Sequence, residues 1–150
     1  MHGYREAYGR IGVEKALGED LNVGFQYYIA PTVEQALREA GPYYEENVKM
    51  FGPLRLHRGL SEEQIRAISD PAASHEGLPT IEAAFKGGAF LAGPPELIIE
   101  KLTELGERYP GLRRVTMSQP ISTPQSVILE QLERLASDVM PAFKAKVAAT

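Results

Sequence analysis

The order of predicted elements places this chain in the α/β class with parallel strands. Three stretches have the alternating or short apolar pattern of strands, and a helical pattern follows each of them. Repeated βα units of this kind favour parallel strands joined by right-handed crossovers. The composition, 43% hydrophobic and 24% charged in 150 residues, is ordinary for a globular protein. We therefore expect a single domain, residues 1–150, around a parallel sheet.

The first unit begins with the clearest strand. Within Leu21–Ala30 every second residue from position 23 is apolar, and these residues are aromatic or β-branched: Val23, Phe25, Tyr27 and Ile29. Thr32 then predicts the N-cap of a helix that runs to about Met50. Gly41-Pro42 in its middle should kink or divide this helix, because proline lacks the N–H donor. Before the strand, residues 3–17 predict a short helix broken by two glycines.

Residues 51–88 are the least regular part of the sequence and predict an irregular insertion or a lid. Two short helices fit within it. Ser61 answered by Gln64 forms a capping box that opens a helix to about Ser69. Pro79-Thr80 opens another helix, which should end at Gly87 in a left-handed C-cap.

The final third of the sequence contains two more βα units. Ala89–Ala92 is a short apolar strand that leads through Gly93-Pro94 into a helix ending near Tyr109. Residues 113–119 predict the last strand. Thr123 is then the expected cap, and Pro124 the first residue, of a helix that should end near Pro141. This last helix carries a set of apolar residues: Val127, Ile128, Leu132, Leu135 and Val139.

Charge and composition exclude several classes of function. The net charge of −4 argues against nucleic-acid binding, since phosphates need a basic face. The absence of cysteine excludes disulfides and thiolate metal sites, and no histidine pair has zinc-ligand spacing, so we expect no metal. No apolar run reaches the roughly 20 residues of a membrane helix. The first residues show no signal-peptide core, which predicts a cytoplasmic protein without membrane partners.

Three segments together resemble the luciferase-like flavin-dependent monooxygenases. Phe90–Leu102 is similar to the glycine-proline turn from strand to helix near the end of that family. Leu129–Phe143 resembles the family's terminal helix with its Val-Met-Pro ending, here Val139, Met140 and Pro141. Asn22–Ala36 is similar to a late strand and the helix after it. These matches occur in the family's order and cover most of the chain.

The resemblance implies a partial (β/α)8 barrel, of which this chain supplies about the last three βα units. A complete barrel of this type needs roughly 250 residues. The family uses reduced FMN, or in some members a deazaflavin, acts on small organic substrates, and often works with a flavin reductase partner. The missing earlier strands carry most of the family's catalytic groups, so the resemblance assigns no catalytic residue to this chain.

In a barrel the working groups lie at the carboxyl ends of the strands. This rule makes Ala92, Gly93 and Gln119 the candidate cofactor-binding residues. A glycine before a helix is more often only a turn device, and a loop glutamine is more often merely exposed. Where relatives have a serine or threonine after the glycine, this chain has Pro94, which weakens any phosphate site at that turn. His57 lies in the irregular insertion, either at a substrate entrance or simply in solvent.

Two functional hypotheses remain open from the sequence. The first is a fragment of a flavin-dependent oxidoreductase that is inactive alone. The second is a non-catalytic α/β module for oligomerisation or binding. Three parallel strands leave two open sheet edges, and such edges normally have to be covered or paired. Both hypotheses therefore predict that the chain associates, with itself as a homo-oligomer or with the rest of a barrel.

Overall fold

A computed structural model describes residues 1–56, 60–70 and 77–148, with the side chains described as far as residue 146. The three strands are β1 (Asn22–Ile29), β2 (Phe90–Gly93) and β3 (Arg114–Ser118). The helices are α1 (His2–Gly9), α2 (Val33–Phe51), α3 (Glu62–Ser69), α4 (Ile81–Lys86), α5 (Pro95–Arg108), α6 (Gln125–Arg134) and α7 (Met140–Ala148). A single π turn, Leu135–Val139, joins α6 to α7. The expectation of a mixed α/β fold is confirmed.

The three strands form one parallel sheet in the order β2-β1-β3. The end of β1 pairs with β2, from Gln26 opposite Phe90 to Ile29 opposite Gly93. The start of β1 pairs with β3, from Asn22 opposite Arg114 to Gln26 opposite Ser118. The central strand β1 therefore has paired neighbours on both sides only near Gln26.

Helices cover both faces of this sheet. On one face, Tyr28, Ala30, Phe90 and Ala92 pack with residues of α2, α3 and α4. On the other face, Tyr27, Ile29 and Leu91 pack with α5, the π turn and Phe143 of α7. The connection from β1 to β2 and the connection from β2 to β3 run in opposite directions across the sheet. Right-handed crossovers in opposite directions place their helices on opposite faces, which accounts for this division.

The sheet order bears on the expected barrel. Three consecutive barrel strands would lie in the order β1-β2-β3, with every helix on the outer face. Here β1 is central and helices lie on both faces, which is the arrangement of a doubly wound open sheet. The observed sheet establishes a mixed α/β fold with a parallel sheet, and the expected partial barrel stays a prediction.

Two prolines interrupt the helices less than the sequence predicts. Pro42 lies inside α2, which nevertheless continues without a break from Val33 to Phe51. The last helix also does not end near Pro141, because α7 continues to Ala148. Pro141 has no N–H for the turn before it, and the helix widens there into the π turn. The predicted division at Pro42 and the predicted end near Pro141 were wrong, since packing outweighs the loss of one donor, while the kink at Pro42 stays a prediction.

Within residues 51–88 the two predicted short helices are present. The capping box of α3 is confirmed, with Gln64 N–H donating to the Ser61 hydroxyl at 3.2 Å and Ser61 N–H to the Gln64 side chain at 2.8 Å. The left-handed residue after α4 is Gly88 at φ 74°, one position later than predicted. His57 and His75 lie outside the described residues, so the expected entrance role of His57 stays a prediction.

Candidate functional site

The carboxyl ends of the strands meet at one edge of the sheet, as the parallel pairing requires. Gly93 ends β2 and lies opposite Ile29, while Gln119 directly follows the end of β3. Ala30 N–H donates to the Gly93 carbonyl at 3.1 Å. β3 stops opposite Gln26, so β1 extends three residues beyond it. The residues predicted from the sequence therefore lie at one edge of the sheet. There the end of β1 projects beyond the end of β3, which leaves a step between the two strand ends.

Ala92 and Gly93 are buried within the chain's own core. The Ala92 side chain has no exposed surface and packs on the α2 face. Gly93 has φ 128°, and a Cβ added there would lie 2.9 Å from Val33 Cγ2 and 3.1 Å from Leu97 Cδ2. Both the conformation and the close approach require glycine. The structure therefore gives Gly93 a turn and packing role, and its predicted cofactor contact stays a prediction.

The step beyond β3 is filled by α6 through Gln131. The Ile29 N–H donates to Gln131 Oε1 at 2.6 Å, and Gln131 Nε2 donates to the Ile29 carbonyl at 3.0 Å. Arg134 Nη1 also donates to that carbonyl, at 3.1 Å. The Gln131 side chain, only 1% exposed, thus pairs with β1 as a further residue of β3 would. A helix therefore occupies the gap between two strand ends where open α/β sheets usually bind ligands.

Gln119 lies beside this junction with its amide buried and unpaired. Both amide atoms of Gln119 have almost no accessible surface and no hydrogen bond within the described residues. The nearby Tyr27 hydroxyl donates to the Gln131 carbonyl at 3.2 Å. Buried amides almost always have partners, because an unpaired polar group costs about 1–3 kcal/mol. Gln119 is therefore a group that an added partner, such as water or a ligand, would stabilise.

Thr123 adds a second unpaired group close to the start of α6. Its side chain is 6% exposed, and its hydroxyl makes no hydrogen bond with any described residue. The N-cap position is occupied by Pro124, and no side chain caps the first N–H groups of α6. The predicted cap at Thr123 was therefore wrong by one residue. The turn after β3 combines a buried amide, a buried hydroxyl and an uncapped helix start.

The role of Gln131 at this junction was not predicted from the sequence. Gln131 lies on the buried stripe of the last helix, four residues after Val127 and four before Leu135. The signal for it was a polar residue at an inward-facing helical position. By contrast, Leu132, another apolar residue of this helix, is 46% exposed. The actual inward stripe follows a strict spacing of four: Val127, Gln131, Leu135 and Val139.

The two tyrosines of β1 have perturbed acidity for different reasons. Burial raises the pKa of Tyr27. The nearby Gln119 side chain partly offsets this rise, although the two side chains do not form a well-shaped hydrogen bond. Burial also raises the pKa of Tyr28 to about 12, helped by the negative charge of Glu39 and a hydrogen bond with it. Both hydroxyls therefore remain protonated at neutral pH.

These raised pKa values predict a loss of stability in alkali. An unfolded tyrosine releases its proton near pH 10, whereas the folded chain holds the Tyr28 proton to about pH 12. The stabilisation is complete below about pH 10 and declines as the pH rises toward 12. Urea unfolding of the chain and of Tyr28→Phe at several alkaline pH values measures this decline. The unsubstituted chain should lose more stability above pH 10; parallel losses would contradict the assignment.

Comparisons with family models and with curated proteins found no relative: no family model matches the chain, and no curated protein matches it significantly. Among the helices that the structure describes, every one is too short or too polar to cross a bilayer. Within the described ranges, no three histidine or acidic side chains converge as metal ligands would. What the structure defines is therefore a class, a three-layer α/β chain with a parallel sheet.

Proposed function

We propose that this chain is the C-terminal part of a luciferase-like flavin-dependent monooxygenase that is inactive alone. The proposal rests first on the sequence resemblance of Phe90–Leu102 and Leu129–Phe143 to that family. The parallel sheet with alternating helices supports it at the level of fold class. In this account the cofactor is reduced FMN or a deazaflavin. The substrate is a small organic molecule, and a flavin reductase is the expected partner.

The observation that carries the proposal is the unpaired amide of Gln119. It lies at the carboxyl edge of the sheet, where both barrels and open parallel sheets place their ligands. An amide presents a donor and an acceptor together, which suits the edge of an isoalloxazine ring. The uncapped start of α6 nearby offers N–H donors toward an anionic group.

The same geometry accounts for the expected inactivity of the chain alone. The amide atoms of Gln119 are covered, so a flavin reaches them only if the groups packed over them move. In a closed barrel, one face of the sheet becomes the interior and holds no helices. Either the α2 face or the α5 face must therefore be uncovered when the remaining strands are present. Consecutive barrel order would in addition place β2 between β1 and β3.

Titration of the ¹⁵N-labelled chain with FMN, followed by NMR, tests this assignment. We expect weak, saturable shifts of the Gln119 side-chain amide and of the Thr123 backbone amide. Gln119→Leu should abolish the effect, whereas Gln125→Leu, an exposed glutamine on α6, should preserve it. A deazaflavin titrated in parallel compares the two cofactors. No saturable shift at these positions with millimolar flavin would overturn the proposed site.

The alternative function, an oligomerisation module, has one specific observation in its favour. β3 packs chiefly against β1, and Arg114, Thr116 and Ser118 are exposed along it. No described helix packs extensively on its outer edge, which leaves main-chain groups open to pairing. Sedimentation of the chain distinguishes the cases. A homo-oligomer that dissociates on a β3 proline substitution supports the module, and a stable monomer contradicts it.

A further inference from the structure

A groove on the Tyr28 face of the sheet has no charged side chain among the lining residues that the structure describes. It encloses about 280 Å³ between β1, α2 and the start of β2. Its walls are formed by Gly24, Phe25, Gln26, Tyr44, Asn47, Ala84, Ala89 and Ser118. The larger groove beside α5 instead has Lys101, Glu104 and Arg108 on its walls. A neutral wall favours a neutral ligand, because a charged one would lose its hydration without a counter-charge.

Two amides in this groove are held in one orientation. Asn47 Oδ1 accepts from Gln26 Nε2 at 3.1 Å and from the Ile121 backbone N–H at 3.3 Å. Two donors on the same atom identify it as the oxygen, which leaves the NH₂ group of Asn47 as a donor. Asn47 is only 7% exposed, so its orientation is set by the fold.

One donor and one acceptor of this amide pair are not used in the bonds between them. Asn47 Nδ2 and Gln26 Oε1 make no hydrogen bond with any residue in the described part of the chain. Gln26 and Asn47 both line the groove, so this donor and this acceptor belong to one site. They match a group that presents one acceptor and one donor side by side, as a carboxamide does.

The exposed sheet beside the groove supports the same interpretation. Parallel sheets are normally covered on both faces, yet Asn22, Gly24 and Thr116 are exposed on this one. A Cβ added to Gly24 would meet nothing closer than the Thr116 carbonyl at 4.0 Å, so the space above it is open. The volume is just below the roughly 300–1,000 Å³ of sites for drug-sized ligands, which limits the ligand to about one ring.

We propose that this groove binds an uncharged, single-ring carboxamide, whose carbonyl accepts from Asn47 and whose N–H donates to Gln26. Tyr44, Ala84 and Ala89 then contact the flat ring. The site is on the sheet face opposite the Tyr27 hydroxyl and does not depend on the proposed flavin function. Benzamide is the matching probe, and benzoate is its control of equal shape with a negative charge and no N–H.

Titration of the ¹⁵N-labelled chain with each compound tests the proposal by NMR. Benzamide should shift the Asn47 side-chain NH₂ and the Gly24 backbone amide saturably, with a dissociation constant of about 1 mM. Benzoate should bind at least about tenfold more weakly, because it offers no donor and is charged. The buried Gln131 amide serves as an internal reference that should not shift.

Two glycine variants complete the design. Gly24→Val fills the open space in a strand position that suits valine, and it should abolish the benzamide shifts while the rest of the spectrum stays folded. Gly106→Ala, on α5 and far from the groove, should leave binding unchanged. Equal affinity for benzoate and benzamide, or saturable shifts centred on another part of the chain, would overturn the proposal. Binding that survives Gly24→Val would overturn it as well.

Discussion

Replacing Gln131 with leucine should lower the free energy of unfolding by roughly 2–4 kcal/mol. The substitution removes both hydrogen bonds to Ile29, and each buried group left unpaired costs about 1–3 kcal/mol. Arg134 can still satisfy the Ile29 carbonyl, so the N–H of Ile29 bears most of the loss. Equilibrium urea unfolding measures the change.

Gln125→Leu is the matched control for this experiment. It makes the same chemical change on the same helix, but Gln125 is exposed and bonds to no described strand. Surface substitutions of this kind usually change stability by less than about 0.5 kcal/mol. If the two leucine variants were equally stable, Gln131 would not be completing the edge of β1.

Replacing Gly93 with alanine should also be strongly destabilising, by about 2–5 kcal/mol. The φ of 128° costs a residue with a Cβ about 1–3 kcal/mol, and overpacking against Val33 and Leu97 adds a similar amount. The effect concerns the turn from β2 to α5, where Pro94 and Pro95 already restrict the backbone. Thermal and urea unfolding report it directly.

Gly106→Ala provides a control of opposite sign. Gly106 lies within α5, and a Cβ there meets no other atom within 4 Å. Alanine in a helix interior is favoured over glycine by about 0.5–1 kcal/mol, so this variant should be more stable than the parent chain. A Gly93→Ala variant as stable as Gly106→Ala would contradict the observed turn geometry.

Much of the local structure follows from sequence signals that are short in range. The alternation in β1, the caps at Thr32 and Ser61, and the glycine-proline turn before α5 all predicted elements that the structure contains. These signals depend on neighbours within a few residues, so they survive without knowledge of the fold. The continuity of α2 through Pro42 was not predictable in this way, since it depends on packing against the sheet.

The arrangement of strands and the candidate sites depended on contacts distant in sequence. Nothing local indicates that β1 lies between β2 and β3, because strand order is decided by which faces the helices cover. Gln119 was correctly placed at the sheet edge by the rule for strand ends, but its burial depends on α6. The roles of Gln131 and Asn47 arise from partners 102 and 74 residues away, Ile29 and Ile121.

The central claim is that β1 is the middle strand and that α6 closes its exposed end. Interstrand nuclear Overhauser effects between backbone protons of the labelled chain test this most directly. The account predicts cross-peaks between β1 and both neighbours, around Tyr27 with Leu91 and around Val23 with Val115. Cross-peaks between β2 and β3, with none between β1 and β3, would show the consecutive order of a barrel and contradict it.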